Sequence, residues 1–334
     1  MEKLNFALVG TGYIAHVHAR AIKSLKNANL IAVRGSDKSH TESFAKKFGA
    51  QAYTDYESLL KKENIDAVDI VAQSNMHADF GVLAAEAGKH VIVEKPIDIS
   101  LEKADLLINA CRKNGVKLSV ISQHRFDSAV IALKKAIDAG DFGRLFFGRA
   151  AIHWQRTQEY YDTSNWRKNI ALAGGGALMT QAIHYIDILR WLFGDVESVS
   201  GEIATVAHKI EVEDIGTGIL RFKSGALGQI EGDTAVQHNM PNTIEAHGTS
   251  GSAILNGWRF ANRAVLWQTS RSFDFRHLLA FMPGTIRNQI LNFTSAIKTN
   301  ALPAVTGEDG RTALEIVLAI YKSAMQKCEV ALPL

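Results

Sequence analysis

The first third of the chain alternates between short apolar runs and stretches with helical periodicity, which limits the possible folds more than any other feature. In the helical stretches, apolar residues recur every three or four positions, as in Ile14–Leu25. Strands that alternate with helices form a parallel sheet with right-handed crossovers. The sequence therefore predicts an α/β fold that begins with a doubly wound parallel sheet. The predicted strands are Leu4–Val9, Asn29–Val33, a short strand at Tyr53, Ala67–Ala72, His90–Val93 and Lys117–Ile121.

A glycine-rich turn separates the first predicted strand from the first helix. This turn has the spacing of the Rossmann dinucleotide fingerprint, in which glycines permit a tight turn and a close approach of the backbone to a pyrophosphate. The free N–H groups and the positive dipole end of the helix would bind the phosphates. Because strand, turn and helix come in the required order, we predict a dinucleotide site here rather than a simple strand–helix turn. The turn reads Gly10-Thr11-Gly12-Tyr13-Ile14-Ala15.

The residues after the second strand bear on the choice between NAD and NADP. The fingerprint expects an acid at the end of this strand, where it holds the ribose 2′-hydroxyl of NAD. Here the acid, Asp37, comes late. Arg34, Ser36 and Lys38 could instead bind a 2′-phosphate. The pattern slightly favours NADP, and Asp37 keeps NAD open.

A lysine followed by a proline comes directly after a buried strand. His90–Val93 is apolar and β-branched, as expected of a central parallel strand, and Glu94-Lys95-Pro96 follows it. Ligands of open α/β sheets bind outside the carboxyl ends of the strands. Because Pro96 restricts the backbone of Lys95 to extended conformations, a stiffly held ammonium would project toward the ligand. Alone this lysine is more typical of a surface charge, but beside a dinucleotide it is a candidate acid or base.

The pattern changes after Ile121, which predicts a second domain. The run Gly174-Gly175-Gly176 opens a long helix that continues to about Phe193, and strand-like runs separated by turn signals fill the segment from Val196 to Gln268. Short strands with this spacing indicate an antiparallel sheet. We therefore predict a dinucleotide-binding domain at residues 1–122 and a substrate-binding and oligomerisation domain at residues 123–334. Further helices are predicted at Ala129–Ala139, Thr285–Thr299 and Asp309–Lys327.

Three polar residues share one face of the long helix. Thr180, His184 and Asp187 are spaced i, i+4 and i+7. Since histidine exchanges protons near neutral pH, this stripe could line a polar ligand site. The alternative is a histidine satisfied by its neighbour, or a solvated face. Other histidines, among them His18, lack metal-ligand spacing and are interpreted as structural.

Composition excludes several other classes of protein. The 334 residues carry 37 Lys and Arg against 34 Asp and Glu, with no basic block, which gives no support for nucleic-acid or membrane binding. No run approaches the 18 apolar residues of a membrane span. Two cysteines, Cys111 and Cys328, make no disulfide framework, and no H-E-x-x-H or C-x-x-C motif occurs, so we predict no metal. We expect a cytoplasmic protein with reduced thiols.

Together, these motifs resemble the glucose–fructose oxidoreductase, inositol dehydrogenase and MocA family (Gfo/Idh/MocA), over nearly the whole chain. The resemblance implies a Rossmann domain followed by an α/β domain with a large, mostly antiparallel open sheet. It also implies reversible hydride transfer between a nicotinamide cofactor and a carbon that bears a hydroxyl, usually on a sugar. The motifs are Gly10-Thr11-Gly12-x-x-Ala15, Ser74-Asn75-Met76-His77, Glu94-Lys95-Pro96, Gly174-Gly175-Gly176-Ala177-Leu178 with His184 and Asp187, and Gly307-Glu308-Asp309-Gly310.

By motif match, the resemblance assigns the proton chemistry to Lys95 and His184. Many members carry an acid four residues before the histidine, where this chain has Thr180. A threonine can hydrogen-bond but cannot balance an imidazolium, so more of the proton work would fall to Lys95. Such enzymes are often dimers or tetramers packed through the sheet, so we expect a homodimer or homotetramer. Besides the glycine turn and residues 34–38, the expected cofactor contacts are Ser74, Asn75, His77, Glu94, Lys95 and Gln123.

A narrower resemblance concerns the substrate. The stretches 154–162, 166–167, 176–182 and 210–214 are similar to the branch that oxidises the C3 hydroxyl of UDP-N-acetylglucosaminuronate. Arginines suit a diphosphate or a carboxylate, and aromatic faces suit a sugar or uracil. The aromatic residues could instead simply pack the domain interface. The expected substrate contacts are Arg125, Arg156, Tyr160, Trp166, Arg167, Thr180 and His184.

Two other activities are compatible with the same fold. The fold is similar to that of NAD-dependent glycosidases, which oxidise C3 transiently and then return the hydride. It also resembles cofactor-binding sugar sensors that do not turn over. Retention of both Lys95 and His184 argues against the sensor.

Overall fold

The chain divides into two compact units. The computed structural model describes residues 3–62, 64–258, 261–269, 272–273 and 285–334, so residues 259 and 260 of the predicted strand-rich segment lie outside the described residues. The first unit combines Met1–Ser122 with Gly284–Arg311, and the second combines Gln123–Pro283 with Thr312–Leu334. The sequence-based division also breaks after residue 122. It differs for residues 284–311, which it assigned to the second domain.

The first unit contains a parallel sheet. Its strands are β1 (Leu4–Val9), β2 (Ala28–Arg34), β3 (Gln51–Tyr53), β4 (Ala67–Ile70), β5 (His90–Val93) and β6 (Leu118–Val120), and its first helices are α1 (Tyr13–Lys23), α2 (Lys38–Phe48), α3 (Tyr56–Leu60), α4 (His77–Glu86) and α5 (Leu101–Lys113). In the described residues the strand order is β3-β2-β1-β4-β5-β6, and each neighbouring pair is parallel. The order reverses between β1 and β4, and ligands of doubly wound sheets bind at such a switch point. The predicted Rossmann sheet is confirmed.

The second unit contains a larger sheet. Its strands are β7 (Leu145–His153), β8 (Val196–Ala204), β9 (Ile215–Phe222), β10 (Leu227–Asp233), β11 (Asn242–Gly248), β12 (Gly251–Trp258), β13 (Ala261–Thr269), β14 (Ser272–Phe273) and β15 (Val330–Ala331). Over the described ranges, the order is β14-β13-β12-β11-β7-β10-β9-β8-β15. Only the β7–β10 pair of this sheet is parallel there. The predicted mostly antiparallel sheet is confirmed.

Helices pack closely against this sheet because several strand positions are glycine. A Cβ atom added to Gly148 would lie 2.5 Å from the Phe193 ring, and one added to Gly216 would lie 2.6 Å from Leu178. The predicted long helix begins with a π-helical turn at Leu178–Ala182 and continues as α9. The remaining helices are α6 (Ser128–Asp138), α7 (Gln158–Asp162), α8 (Ile170–Ala173), α9 (Ile183–Phe193), α10 (Thr285–Thr299) and α11 (Gly307–Gln326), with short 3-10 turns at Ser74–Met76, Gln123–Phe126 and Asn165–Lys168.

Helix α10 packs in the first unit although it follows the second sheet in sequence. Its apolar face buries Ile286, Ile290 and Phe293 in the same core as β1 and α1. The Gln289 side chain accepts a 2.9 Å hydrogen bond from the Ser122 amide and donates one of 2.7 Å to the Val120 carbonyl. Hydrophobic burial thus determines that this helix belongs to the first unit. A division of the chain at a single point in the sequence cannot show this.

Candidate functional site

The glycine turn has the backbone geometry that a dinucleotide site requires. Gly10 has a φ of +121°, and a Cβ atom there would lie 2.6 Å from the Val71 carbonyl oxygen, so any larger side chain would clash. At Gly12, the last residue before α1, an added Cβ would meet no described atom within 4 Å. Among the described residues, no side chain caps the N-terminus of α1. Gly12 and Tyr13 are exposed, and Thr11 and Ile14 are half-buried. An open helix N-terminus with free N–H groups fits a pyrophosphate.

The end of β2 and the residues directly after it provide a helix cap and two cations. The Asp37 carboxylate accepts a 2.7 Å hydrogen bond from the His40 amide and so caps α2. That bond, helped by a second from Ser39, lowers the pKa of Asp37. The Arg34 guanidinium lies 4.9 Å from the centre of the Phe80 ring, whereas Ser36, like Lys38, is exposed. Asp37 is therefore partly committed to the helix.

Three predicted cofactor contacts differ in exposure. Ser74 and His77 are buried, and Asn75 is half-buried. The His77 ring lies between two carbonyl oxygens, with Nδ1 2.7 Å from that of Pro96 and Nε2 3.1 Å from that of Ala72. Burial lowers the pKa of His77. His77 therefore supports the segment that follows Lys95.

Lys95 stands at the carboxyl end of a central strand, as the sequence predicts. It is half-buried, and its peptide bond to Pro96 is cis. Its backbone N–H donates a 3.0 Å hydrogen bond to Glu94 Oε2. Glu94 itself is buried, so its carboxylate holds the Lys95 backbone from the interior of the unit.

Sequence reasoning missed an inner charge cluster, formed by His18, Asp69 and Glu94. His18 Nδ1 lies 2.8 Å from Asp69 Oδ2, and His18 Nε2 lies 3.1 Å from Glu94 Oε1. Burial alone would favour neutral imidazole, but the charge of Asp69 and the hydrogen bonds to both carboxylates raise the pKa of His18 to about 10. The available signal was helical spacing, which places His18 on the buried face of α1 with Ala15 and Ala19.

In the second unit, a buried glutamate caps the helix that carries the predicted histidine. Glu213 accepts hydrogen bonds of 2.7 Å from the Gly176 amide and 2.8 Å from the Leu178 amide. The Tyr321 hydroxyl donates a third, of 2.8 Å. A Cβ atom on Gly176 would lie 1.8 Å from the Glu213 carbonyl oxygen, which explains the glycine. Glu213 lies within a stretch that the sequence singled out for the substrate, but its capping role was missed.

The predicted polar stripe separates into different roles. The Thr180 hydroxyl donates a 2.7 Å hydrogen bond to the Gly176 carbonyl. The His184 ring is buried and meets the His124 ring edge to face, with centroids 5.4 Å apart. Asp187 binds Arg125 bidentately, at 2.7 and 2.5 Å. The role of His184 as a proton carrier stays a prediction.

Arg125 occupies a different setting from the other predicted substrate contacts. It is 4% exposed, and its guanidinium is held by Asp187 and lies 5.2 Å from the Trp191 ring. A direct substrate contact by Arg125 stays a prediction, as does the cofactor contact of half-buried Gln123, which begins the second unit.

Two other arginines meet at one tyrosine, which defines an arginine–tyrosine cluster of Arg156, Tyr160 and Arg167. The guanidinium of Arg156 lies 5.1 Å from the centre of the Tyr160 ring, and that of Arg167 lies 4.7 Å away. Arg167 also lies 5.2 Å from the Trp166 ring. Among the described residues, no carboxylate pairs with either guanidinium within 4.0 Å. Two neighbouring cations held by aromatic faces fit an anion.

A histidine and an aspartate anchor this cluster to the loop before β9. Asp214 accepts hydrogen bonds from the amides of Val206, Ala207 and His208, and also contacts His208 Nδ1 at 2.9 Å. His208 Nε2 lies 2.8 Å from the Arg156 carbonyl oxygen. The Gln181 side chain accepts a 2.9 Å hydrogen bond from Arg156. Arg156 is thus held in place at both its backbone and its guanidinium.

The structure adds two findings about what the described residues do not form. They contain no group of three His, Cys, Asp or Glu side chains arranged to hold a metal ion. None of their helices combines the length and apolarity needed to cross a membrane.

Comparison with known proteins identifies the family. Residues 4–122 match the model of the oxidoreductase family with an NAD-binding Rossmann fold, and residues 130–254 match the Gfo/Idh/MocA C-terminal domain. Myo-inositol 2-dehydrogenase of Thermotoga maritima is 28% identical, with 98% of each chain aligned.

Two solved structures are more similar. The WlbA dehydrogenase of Bordetella pertussis, in complex with NADH and UDP-GlcNAcA, superposes with a TM-score of 0.95 at 32% identity and covers 100% of this chain and 99% of its own. The WlbA dehydrogenase of Chromobacterium violaceum, in complex with the same ligands, gives 0.93 at 32% identity, with 100% and 97% covered. The chain therefore belongs to the Gfo/Idh/MocA family and is an oxidoreductase with an NAD-binding Rossmann fold that acts on CH–OH groups.

Proposed function

We propose that this protein oxidises a sugar hydroxyl, the C3 hydroxyl of a UDP-linked N-acetylated uronate, with NAD(P) as acceptor. The observation that carries the proposal is the arginine–tyrosine cluster, in which two guanidiniums lie within 5.1 Å of one ring centre. A UDP-uronate offers both a diphosphate and a carboxylate, which planar guanidiniums bind bidentately. The two similar dehydrogenases determined with NADH and UDP-GlcNAcA support the same substrate class.

In this proposal the first unit holds the cofactor. The open N-terminus of α1 at the glycine turn would bind the pyrophosphate, since an added Cβ atom on Gly12 would meet only open space among the described residues there. Arg34, Ser36, Asp37 and Lys38 would bind at the ribose 2′ position, and the slight preference for NADP stays a prediction. When bound, the cofactor would supply the hydride acceptor for the carbon that bears the hydroxyl. The same hydroxyl loses its proton to the protein, so the alcohol becomes a ketone.

Lys95 and His184 together handle that proton, and Lys95 does more of this work than His184. A hydroxyl has a single proton, and Thr180 donates its own to the Gly176 carbonyl. Thr180 therefore has no proton left to donate to His184, and it carries no charge to balance an imidazolium. An acid at this position would stabilise the protonated histidine, so its replacement moves the work toward Lys95.

The absorbance of the reduced nicotinamide tests the proposal. Purified protein is mixed with NAD or NADP and with a UDP-N-acetylated uronate, the neutral UDP-N-acetylated sugar, or the free uronate. We expect reduction with the UDP-uronate, and at least tenfold slower reduction with the other two. Equal reduction with all three compounds would contradict the proposal, since it would make both the diphosphate and the carboxylate dispensable.

The same assay separates the other activities of this fold. Cleavage of a sugar with no net reduced cofactor would indicate a transient-oxidation glycosidase. Cofactor binding with no turnover on any sugar would indicate a sensor. The expected homodimer or homotetramer is measured separately, by light scattering.

A further inference from the structure

We propose that His18 is a positioning residue that fixes Lys95 for proton transfer, through Glu94. The inference rests on the proposed function, because it takes Lys95 as the proton carrier. Three ionisable side chains from three separate elements meet here inside the first unit. His18 comes from α1, Asp69 from β4, and Glu94 follows β5.

The burial of this inner charge cluster calls for a specific role. His18 and Asp69 are 0% exposed, and Glu94 is 7% exposed. Ionisable groups are rarely placed so deep, because removing them from water is costly unless they are fully paired. Here all three groups are hydrogen-bonded along one line, because the imidazole contacts one carboxylate through each ring nitrogen.

The line continues to the lysine. One oxygen of Glu94 contacts His18, and the other accepts the hydrogen bond from the Lys95 backbone N–H at 3.0 Å. On the far side of Lys95, the carbonyl of Pro96 lies 2.7 Å from His77 Nδ1. The backbone around Lys95 is therefore held before and after the residue, and His18 fixes the orientation of the first support.

The cluster also joins the lysine to the cofactor helix. His18 lies on α1, which begins directly after the glycine turn. A shift of this helix would move His18 and, with it, the Glu94 carboxylate. Among the described residues, the other titratable side chains that act on Glu94 are Lys95 and His77. His18 therefore links α1 to the carboxylate that supports the Lys95 backbone.

Two substitutions of similar shape test the inference. In His18→Gln, the amide can replace Nε2 and keep the contact with Glu94. In His18→Asn, the amide can replace only Nδ1, so the contact with Asp69 remains and the contact with Glu94 is lost. Both variants lose the charge of the imidazolium, so the difference between them isolates the Glu94 contact.

We expect His18→Asn to lower kcat at least tenfold more than His18→Gln and to shift the pH profile of kcat. The dissociation constant for reduced cofactor and the KM should stay within about threefold of wild type, because the glycine turn is intact. Equal kcat values and equal pH profiles in the two variants would overturn the inference and leave His18 with a purely structural role.

Further variants keep the inference testable if His18→Asn does not fold, and they distinguish failure of the inference from failure of the proposed function. If His18→Asn does not fold, Asp69→Asn weakens the same line, and an unchanged pH profile of kcat in that variant counts against the inference. A Lys95→Ala enzyme supplied with a primary amine should recover turnover, and adding His18→Asn to it should change the recovered rate less than threefold. If His18→Asn lowered the amine-rescued rate of Lys95→Ala by the same factor as it lowers the rate of the enzyme that retains Lys95, this would contradict action through Lys95. Absence of turnover of the wild-type enzyme with the UDP-uronate would instead contradict the proposed function, whereas near-normal turnover of Lys95→Met would remove Lys95 from the mechanism.

Discussion

The inner charge cluster and the arginine–tyrosine cluster are both rich in charge, but they differ in how that charge is paired. In the first, one histidine and two carboxylates contact one another in the buried interior of the unit. In the second, two guanidiniums share an aromatic ring, and no carboxylate among the described residues pairs with them. A charge that the protein itself pairs serves to hold structure, whereas one left for an outside partner indicates a ligand. Four predictions test this contrast.

The largest effect is expected at Lys95, which the inner charge cluster supports. Replacing Lys95 with Met removes the ammonium and keeps the length of the side chain. We expect kcat to fall by about 10³-fold, within the usual range for loss of a general acid or base, while cofactor affinity changes little. Steady-state kinetics and a cofactor titration measure the two quantities. A kcat within threefold of wild type would remove Lys95 from the mechanism.

The next effect is expected in the arginine–tyrosine cluster. Arg167→Met keeps much of the stacking on Tyr160 but removes the charge, so KM for the UDP-uronate should rise by about 10- to 100-fold with a smaller change in kcat. Lys168→Met is the matched control, because the neighbouring Lys168 already pairs with Asp162 at 3.0 Å. Equal KM values in the two variants would show that Arg167 does not bind the anion.

A third prediction concerns the buried cap of the histidine helix. In the wild-type protein, three hydrogen-bond donors surround the Glu213 carboxylate. Glu213→Gln replaces one carboxylate oxygen with an amide NH₂ group, which cannot accept from these donors, so the free energy of unfolding should fall by about 2 kcal/mol. Urea denaturation measures it. Glu211→Gln is the control, since the exposed Glu211 accepts hydrogen bonds from Asn169 and Ile170 at the surface. A loss at Glu211 as large as that at Glu213 would contradict the importance of burial.

The smallest effect is a dependence of stability on pH that arises in the inner charge cluster. Because the pKa of His18 is raised to about 10 from 6.5, its stabilising contribution is complete below pH 6.5 and is lost as the pH rises toward 10. We expect the Tm of wild type to fall over this range more steeply than that of His18→Gln. Parallel curves for the two proteins would show that His18 is not charged in the folded state.

The sequence predicted most of the first unit because its signals are local. The glycine turn, the apolar strands and the Glu94-Lys95-Pro96 segment are each readable within a few residues, and the resulting sheet is confirmed. Helix α10 shows the limit of such reasoning. Its apolar face has ordinary helical spacing, but the spacing does not say which core the face packs against. That choice depends on contacts between residues more than 250 positions apart, such as the hydrogen bond between Asn27 and Thr294.

Candidate site residues were predictable as chemical types but not as partners. Spacing placed Thr180, His184 and Asp187 on one helical face, yet only the structure shows that Asp187 binds Arg125 and that Thr180 bonds to its own helix. The sequence places His18 in the first helix, and we interpreted it there as structural. Its role depends on two carboxylates that are 51 and 76 residues away in sequence.

By itself, the sequence determined the fold class, the glycine turn, the lysine after β5 and the family, because each depends on residue order over short distances. The tertiary structure alone decided which charges are paired inside the protein and which are left for a ligand. Pairing depends on three-dimensional distance and on exclusion of water, and both arise only when strands and helices from distant parts of the chain pack together.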